Sequence, residues 1–287
     1  MDEQSDHCDA AAGGEPSSEP GDGDDGRPGR ISGVIGGLRL SVSTLTIVRA
    51  GAPRVDRRAA GAAMISAPLV GLGVGAVAAG AGQVVQWWTR APLISASIAI
   101  AALAALTRGL HLDGLADTAD GLGSGKPAAE ALDIMKQSDI GPFGVVALIL
   151  VLAVQISSLA AAYDVHRGPV AVVVAAMTGR LAVTAACSGP IPAARPDGLG
   201  AWVAGSVRVR TAMAAGIAVA VVSGLLGLIV DPQTAVLAVA AVPLGIAGAL
   251  VLLIRCVQRF GGITGDVLGA LAETGAAIAL LVLAARP

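Results

Sequence analysis

The sequence has 287 residues, of which 54% are hydrophobic and only 14% are charged, and its formal net charge is −2. Soluble domains carry about 25% charged residues, so this composition excludes an ordinary soluble domain and favours a membrane protein. A slightly acidic chain of this kind gives no reason to expect nucleic acid as a partner.

The N-terminal part of the chain divides into two segments. Residues 1–30 are rich in Gly, Pro, Ser and Asp and hold almost nothing to bury, which predicts a disordered acidic tail. Residues 31–287 are predicted to form a single membrane-embedded domain. Its first segment, 31–48, has apolar residues at helical spacing with Ser and Thr opposite, which is typical of an interfacial amphipathic helix. A basic linker follows.

Long apolar stretches fill most of the remaining chain, and a helix needs about 20 residues to span a bilayer. Seven of them are predicted spans, at 59–82, 92–107, 142–162, 169–187, 211–230, 234–254 and 267–285. The stretches that begin at 92 and 267 are marginal in length. The predicted fold class is therefore all-α: a polytopic integral membrane helical bundle of about seven spanning helices plus the N-terminal interfacial helix.

The basic residues are distributed unevenly between the two sides that seven spans define. Of the 19 Lys and Arg residues, 15 fall on the side of the basic linker, three fall on the other side, and Arg180 lies within a span. The positive-inside rule assigns the first side to the cytoplasm. Arg195 belongs to this first group, and a role in topology alone is one interpretation of it. We expect a multi-pass protein of the plasma (cytoplasmic) membrane.

One polar stretch interrupts the apolar sequence, His111-Leu-Asp-Gly-Leu-Ala-Asp-Thr-Ala-Asp-Gly121. Asp113, Asp117 and Asp120 stand at i, i+4 and i+7, so on a helix their carboxylates share one face. Like charges stacked in this way repel unless a cation lies between them, and hard oxygen ligands favour Mg²⁺ or Mn²⁺. The alternative is a solvated acidic face on a surface helix.

Further charged residues fall on the same predicted side of the membrane. Lys136 and Asp139 follow the aspartate stretch, Arg195 lies in a loop, and Asp266 opens the last span with Glu273 seven residues later on the same helical face. Carboxylates bracketed by cations resemble a site for a metal-bound phosphate ester, because such chemistry requires neutralised phosphoryl oxygens. We therefore expect the catalytic site on the cytoplasmic side.

Each of these side chains also has a purely structural interpretation. Arg180 would snorkel to the interface, and Glu273 would pair with an arginine or lie at a helix end. His111 would be a hydrogen-bonded structural residue rather than a proton carrier. Asp139 and Asp266 would be helix N-caps.

The aspartate stretch 111–121 resembles the signature of the cobalamin synthase family, formally adenosylcobinamide-GDP ribazoletransferase. The resemblance continues at 132–136, 140–144, Gly179-Arg180, 198–200 and 261–269 with Glu273, and it extends from about residue 34 to the C-terminus. It implies an integral membrane enzyme that joins adenosylcobinamide-GDP to α-ribazole, or to α-ribazole 5′-phosphate. The products would be adenosylcobalamin, or its 5′-phosphate, and GMP.

The resemblance implies Mg²⁺ as the cofactor and suggests roles for the residues of the aspartate stretch. Asp113, Asp117 and Asp120 would hold Mg²⁺ across the substrate pyrophosphate. One of these aspartates, or His111, would accept the proton of the attacking hydroxyl. These four residues are the predicted catalytic set.

Five further residues are predicted to bind substrate. Lys136, Arg180 and Arg195 would neutralise the phosphates. Asp266 and Glu273 would complete a second metal site or orient the nucleophile. The expected partners are the two small-molecule substrates and the lipid bilayer. A second copy of the chain, or other membrane proteins of corrinoid synthesis, are partners that the resemblance allows.

Two rival functions use similar residues. Membrane phosphotransferases of the CDP-alcohol type also carry spaced aspartates on a helix, but their motif has an Ala-Arg pair after the first Asp-Gly, whereas Leu-Ala-Asp follows here. An ion-coupled transporter would use Asp117 and Glu273 as intramembrane relay groups. The clustering of charges on one side argues against a transporter.

Overall fold

The computed structural model describes residues 30–51 and 56–286. Residues 1–29 of the predicted tail (1–30) lie outside the described residues, and Arg30 begins the first helix. The described chain forms eleven helices: α1 (Arg30–Leu45), α2 (Arg57–Thr89), α3 (Pro92–Leu106), α4 (Leu110–Gly123), α5 (Ala128–Ile134), α6 (Pro142–Asp164), α7 (Gly168–Ala186), α8 (Gly198–Val203), α9 (Val209–Leu228), α10 (Pro232–Phe260) and α11 (Gly265–Leu283). These residues contain isolated bridges but no β-strand, which confirms the all-α prediction.

Six of these helices are long and apolar enough to cross a membrane by themselves, namely α2, α6, α7, α9, α10 and α11. Helix α3 has 15 residues, which is about 22 Å, against a hydrocarbon core of about 30 Å. It passes the same test only together with α4, from which it is bent by 88°. The predicted span at 92–107 is therefore one limb of a broken pair. The chain turns at Arg108 and Gly109, which both have positive φ.

Two spanning helices extend beyond the ends predicted for them, because a helix can continue through polar residues at the membrane interface. Helix α2 continues from 82 to Thr89, and α10 continues from 254 to Phe260. Each ends where a residue in the left-handed conformation donates its backbone N–H to the preceding turn. Arg90 (φ 52°) caps α2 and Gly261 (φ 82°) caps α10.

Small residues allow the helices to approach closely at the centre of the bundle. A side chain at Gly71 of α2 would meet the carbonyl oxygen of Ala176 on α7 at 2.6 Å. The main core is built mostly from Ala and Val of α2, α3, α6, α7, α10 and α11. Since lipid gives little hydrophobic drive between helices, packing of small side chains accounts for this association.

The connecting loops collect at two opposite ends of the bundle. At one end, Asp164 pairs with Arg286 at 3.0 Å and Arg167 donates to the carbonyl of Ala285 at 3.0 Å. Asp231 caps α10 nearby, and hydrogen bonds from the side chain and backbone of Thr234 hold the pKa of Asp231 below its usual range.

The other end carries most of the basic residues, and we call it the basic end (residues 107–141, 187–208 and 261–264, which include α4, α5 and α8). Its loops are joined by backbone bonds from Ala194 to Ile263 and from Ile263 to Pro192, both 2.9 Å. Arg195 donates to the carbonyl of Leu132 at 2.7 Å. The division of the loops agrees with the spans predicted from the sequence. This arrangement brings three polar segments, which are distant in the sequence, together at the basic end.

Candidate active site

Helix α4, which carries the three aspartates, packs tightly against the start of α11. A side chain at Gly114 would lie 2.6 Å from the backbone oxygen of Asp266, and one at Gly269 would lie 3.1 Å from the backbone of His111. Gly114 admits no side chain without a backbone shift, and at Gly269 the backbone of His111 would have to move by a few tenths of an ångström. This close crossing brings Asp266 to the aspartate helix, although more than 140 residues separate them in the sequence.

Asp120 is buried and is used by the fold. Its carboxylate accepts hydrogen bonds from the backbone N–H of Gly141 at 2.8 Å and of Gly144 at 2.9 Å. Gly141 is the N-cap residue of α6 and has no side chain of its own for capping. Asp120 therefore supplies the cap from α4, a role that its spacing in the sequence did not suggest.

Asp113 and Asp117 face a cavity of about 890 Å³ at the basic end. Lys136, Arg108 and Asp139 also line this cavity, so the structure brings the predicted phosphate-binding lysine to the aspartate face. Asp139 is not an N-cap, because Gly141 holds that position. The cavity combines three carboxylates with two cations, as binding of a metal-bound phosphate requires.

A second cavity of about 290 Å³ lies beside α4 and is lined by His111, Arg195, Asp197 and Asp266. Asp266 is not the N-cap of α11: Thr264 accepts from the N–H of Val267 at 3.2 Å and donates to Asp266 at 3.2 Å. The carboxylate of Asp266 is thus held toward the cavity side of the helix start.

Electrostatic contact links the two cavities through Asp117. Its carboxylate lies within Coulombic range of Asp113, Asp266 and Asp120, and also of the cation Arg195. Leu110 lines both cavities. The two cavities therefore flank one charged centre, formed by Asp113, Asp117, Asp266 and Arg195. Arg195 thus belongs to the site and is not only a determinant of membrane topology.

Arg180 and Glu273 lie deeper, inside the bundle. Arg180 is only 3% exposed, so it does not snorkel to an interface. Its Nη2 lies 3.4 Å from Nδ1 of His111. Glu273 accepts a hydrogen bond of 2.7 Å from Gln155 on α6, and both residues line a small internal cavity of about 30 Å³ together with Arg180.

Gln155 was not singled out in the sequence analysis, yet it is a buried member of this internal group. The available signal was an amide side chain within an otherwise apolar span, which is expensive in a bilayer unless it has a partner. Only the packing of α6 against α11 shows that the partner is Glu273.

The donor set of the charged centre suits a hard cation. Among the described residues, no group of three or more His, Cys, Asp or Glu side chains is close enough to form a complete metal cage. Mg²⁺ is commonly bound by one or two carboxylates together with substrate phosphates and water. Asp113 and Asp117, both lining the larger cavity, fit that mode of binding.

Comparison with known proteins identifies the family of the chain. The sequence profile described as cobalamin-5-phosphate synthase matches residues 37–284. A protein of Frankia casuarinae named adenosylcobinamide-GDP ribazoletransferase is 44% identical over 259 residues, which cover 86% of this chain and 93% of that protein.

Two further relatives carry the same name. Proteins of a Nocardioides species and of Bradyrhizobium diazoefficiens are each 38% identical, and the aligned parts cover 86% and 89% of this chain and 98% and 95% of those proteins. No solved structure matches this chain. By the extent of the profile match and by these identities, the chain belongs to the cobalamin-5-phosphate synthase family.

Proposed function

We propose that this chain is the membrane transferase that joins adenosylcobinamide-GDP to α-ribazole or its 5′-phosphate and releases GMP, at the last stage of cobalamin synthesis. Membership of the family supports this, as do relatives that carry the name of this activity over most of the chain. The observation that carries the proposal is the charged centre, where carboxylates and cations from three chain segments converge on two adjoining cavities.

We propose that Asp113 and Asp117 hold a Mg²⁺ ion with the pyrophosphate of the substrate. When bound, Mg²⁺ supplies charge neutralisation at the phosphoryl oxygens. Asp120 would contribute through its position rather than as a direct ligand, since both of its oxygens already accept hydrogen bonds from α6. Asp266 lies within range of Asp117 and orients the same centre from α11.

The contact between Arg180 and His111 supports one of the proton acceptors considered from the sequence over the other. A guanidinium has no acceptor, so Nδ1 of His111 accepts from Arg180 and the neutral ring carries its proton on Nε2. Nε2 then donates to a substrate oxygen and is not a base. This reasoning assigns proton acceptance to Asp117 or Asp113, and it gives His111 the role of a hydrogen-bond donor.

We propose the following reaction at these residues. The ribose hydroxyl of α-ribazole attacks the phosphorus that bears the cobinamide arm, a new P–O bond forms, and the P–O bond to GMP breaks. The hydroxyl proton passes to the aspartate. Lys136 and Arg195 neutralise the phosphoryl oxygens, while Arg180 and Glu273 position His111 from inside the bundle.

We further propose that the chain lies in the cytoplasmic membrane with the basic end in the cytoplasm. The excess of Lys and Arg at this end supports that orientation. A charged nucleotide-bearing corrinoid and GMP would then enter and leave on the cytoplasmic side, without crossing the bilayer.

The test uses membranes from cells that express the full chain. Adenosylcobinamide-GDP and α-ribazole are supplied with Mg²⁺ or with EDTA, and GMP release is followed together with corrinoid product. Joint, Mg²⁺-dependent formation of both products is expected. Absence of both products from membranes that contain folded protein would refute the proposed substrates, and turnover of a CDP-alcohol instead would favour the rival phosphotransferase.

A further inference from the structure

An apolar groove of about 540 Å³ lies between α7, α9 and α10, away from the charged centre. Every residue that lines it is apolar except Ser188, at the end of α7. Met213 and Ile217 of α9 are 64% and 66% exposed there, and they face the groove rather than another helix. The groove is therefore an exposed apolar surface on the membrane-embedded part of the protein.

The depth of the groove corresponds to one leaflet of a bilayer. Its lining on α9 runs from Val209 to Ala220, which is about 16 Å along a helix. Half of a hydrocarbon core of about 30 Å is about 15 Å. The groove opens at the basic end, because Ser188 and Val209 lie at that end. An acyl chain of the leaflet on this side has the length to fill it.

Two arginines are the chain neighbours of Val209, the residue of α9 that lines the groove nearest the basic end. Arg208 and Arg210 flank Val209 at the start of α9, and both are exposed. The backbone bond from Val207 to Cys187 holds this start of α9 beside Ser188. The described residues provide neither arginine with a salt-bridge partner. A positive mouth above an apolar groove is complementary to an anionic headgroup with its acyl chain.

We propose that the groove between α7, α9 and α10 binds an anionic phospholipid, with the acyl chain against α9 and the phosphate on Arg208 and Arg210. Gly216 makes room for the chain, since a side-chain carbon added there would meet only Leu181, at 3.9 Å. An arginine near a membrane surface strengthens anionic lipid binding about fivefold, so the pair favours an anionic over a zwitterionic lipid by about 25-fold.

The experiment measures which lipids the full-length protein retains. The chain is reconstituted into nanodiscs that contain phosphatidylglycerol and phosphatidylcholine in equal amounts, released into mild detergent, and analysed by native mass spectrometry. The wild-type chain is expected to retain phosphatidylglycerol preferentially. The double variant Arg208→Ala/Arg210→Ala is expected to lose this preference, while Arg255→Ala, an exposed arginine outside the groove, keeps it.

A second variant tests the groove independently of charge. Gly216→Leu fills the groove and is expected to reduce retention of both lipids, whereas Gly80→Leu, which faces open space on α2, is not. Unchanged preference for phosphatidylglycerol in the double arginine variant would overturn the proposal. A dimer that Gly216→Leu abolishes, with lipid retention unaltered, would also overturn it, because the groove would then hold a second copy of the chain.

Discussion

The carboxylate of Asp120 on α4 accepts a hydrogen bond of 2.8 Å from the backbone N–H of Gly141, the N-cap residue of α6. A second bond, from Gly144, fixes the other oxygen. One aspartate of the motif thus joins the helix that carries the charged centre to a spanning helix. The motif therefore combines residues that face substrate with a residue that holds the helix in place.

Asp120→Ala should destabilise the protein more than it affects any single catalytic step. The substitution leaves two N–H donors at the start of α6 without their acceptor, at a cost of about 2 kcal/mol or more. Thermal unfolding of the full chain in detergent measures this loss. Asp120→Asn retains one acceptor oxygen, so its unfolding temperature should lie between those of the wild type and Asp120→Ala. An Asp120→Ala protein as stable as the wild type would exclude the capping role.

Asp117→Ala should abolish turnover in a protein that still folds. Asp117 has no capping bond among the described residues, and it lies within range of Asp113 and Asp266 at the centre of the site. We expect the rate of GMP release to fall by at least about a hundredfold. Asp164→Ala, an exposed aspartate at the opposite end, is the matched control. Wild-type activity in Asp117→Ala membranes would rule out a metal-binding role.

Asp113→Asn should raise the Mg²⁺ concentration needed for half-maximal activity. An amide keeps the shape of the side chain but removes its negative charge, so we expect the requirement to increase about tenfold or more. Titration of activity with Mg²⁺ in membranes measures it. An unchanged Mg²⁺ requirement, together with reduced activity, would show that Asp113 acts without binding metal.

Gly114→Ala should push α4 away from α11. The added carbon would lie 2.6 Å from the backbone oxygen of Asp266, and relief of this overlap costs about 1–3 kcal/mol. Activity should fall with stability, since the same shift moves the aspartates away from Asp266. Gly73→Ala is the control, because its added carbon meets nothing within 4 Å. It should be neutral or slightly stabilising, as alanine favours helix.

Gln155→Leu should impair catalysis from inside the bundle. It removes the donor that fixes Glu273, and Glu273 in turn lies within Coulombic range of Arg180, which contacts His111. We expect kcat to fall while KM changes little. Glu273 and Arg180 position His111, and neither they nor Gln155 line the two cavities beside α4. Ser157→Ala, on the exposed face of α6, is the control. Equal kcat in both variants would contradict the positioning role.

The amino-acid sequence predicted the all-α fold class, which the structure confirms, and six of the seven predicted spans are single helices long and apolar enough to cross a membrane. Apolar stretches of about 20 residues can be satisfied in lipid only as helices, so their number and order follow directly from composition. The spacing of Asp113, Asp117 and Asp120 placed three carboxylates on one face, because helical periodicity depends on local geometry alone. The sequence motifs also predicted the family, and the comparisons with known proteins confirmed it.

The contacts that the charged and polar residues make across helices became visible only in the tertiary structure. Asp120 faces the start of α6 instead of the cavity, and Gln155 meets Glu273, because these contacts depend on how distant helices pack. Likewise, the hydrophobic pattern did not predict the break at Arg108 and Gly109, where α4 bends by 88° from α3. Hydrophobic periodicity identifies buried faces, but it contains no information about which residue on another helix lies opposite. That partner choice depends on close packing across the whole bundle.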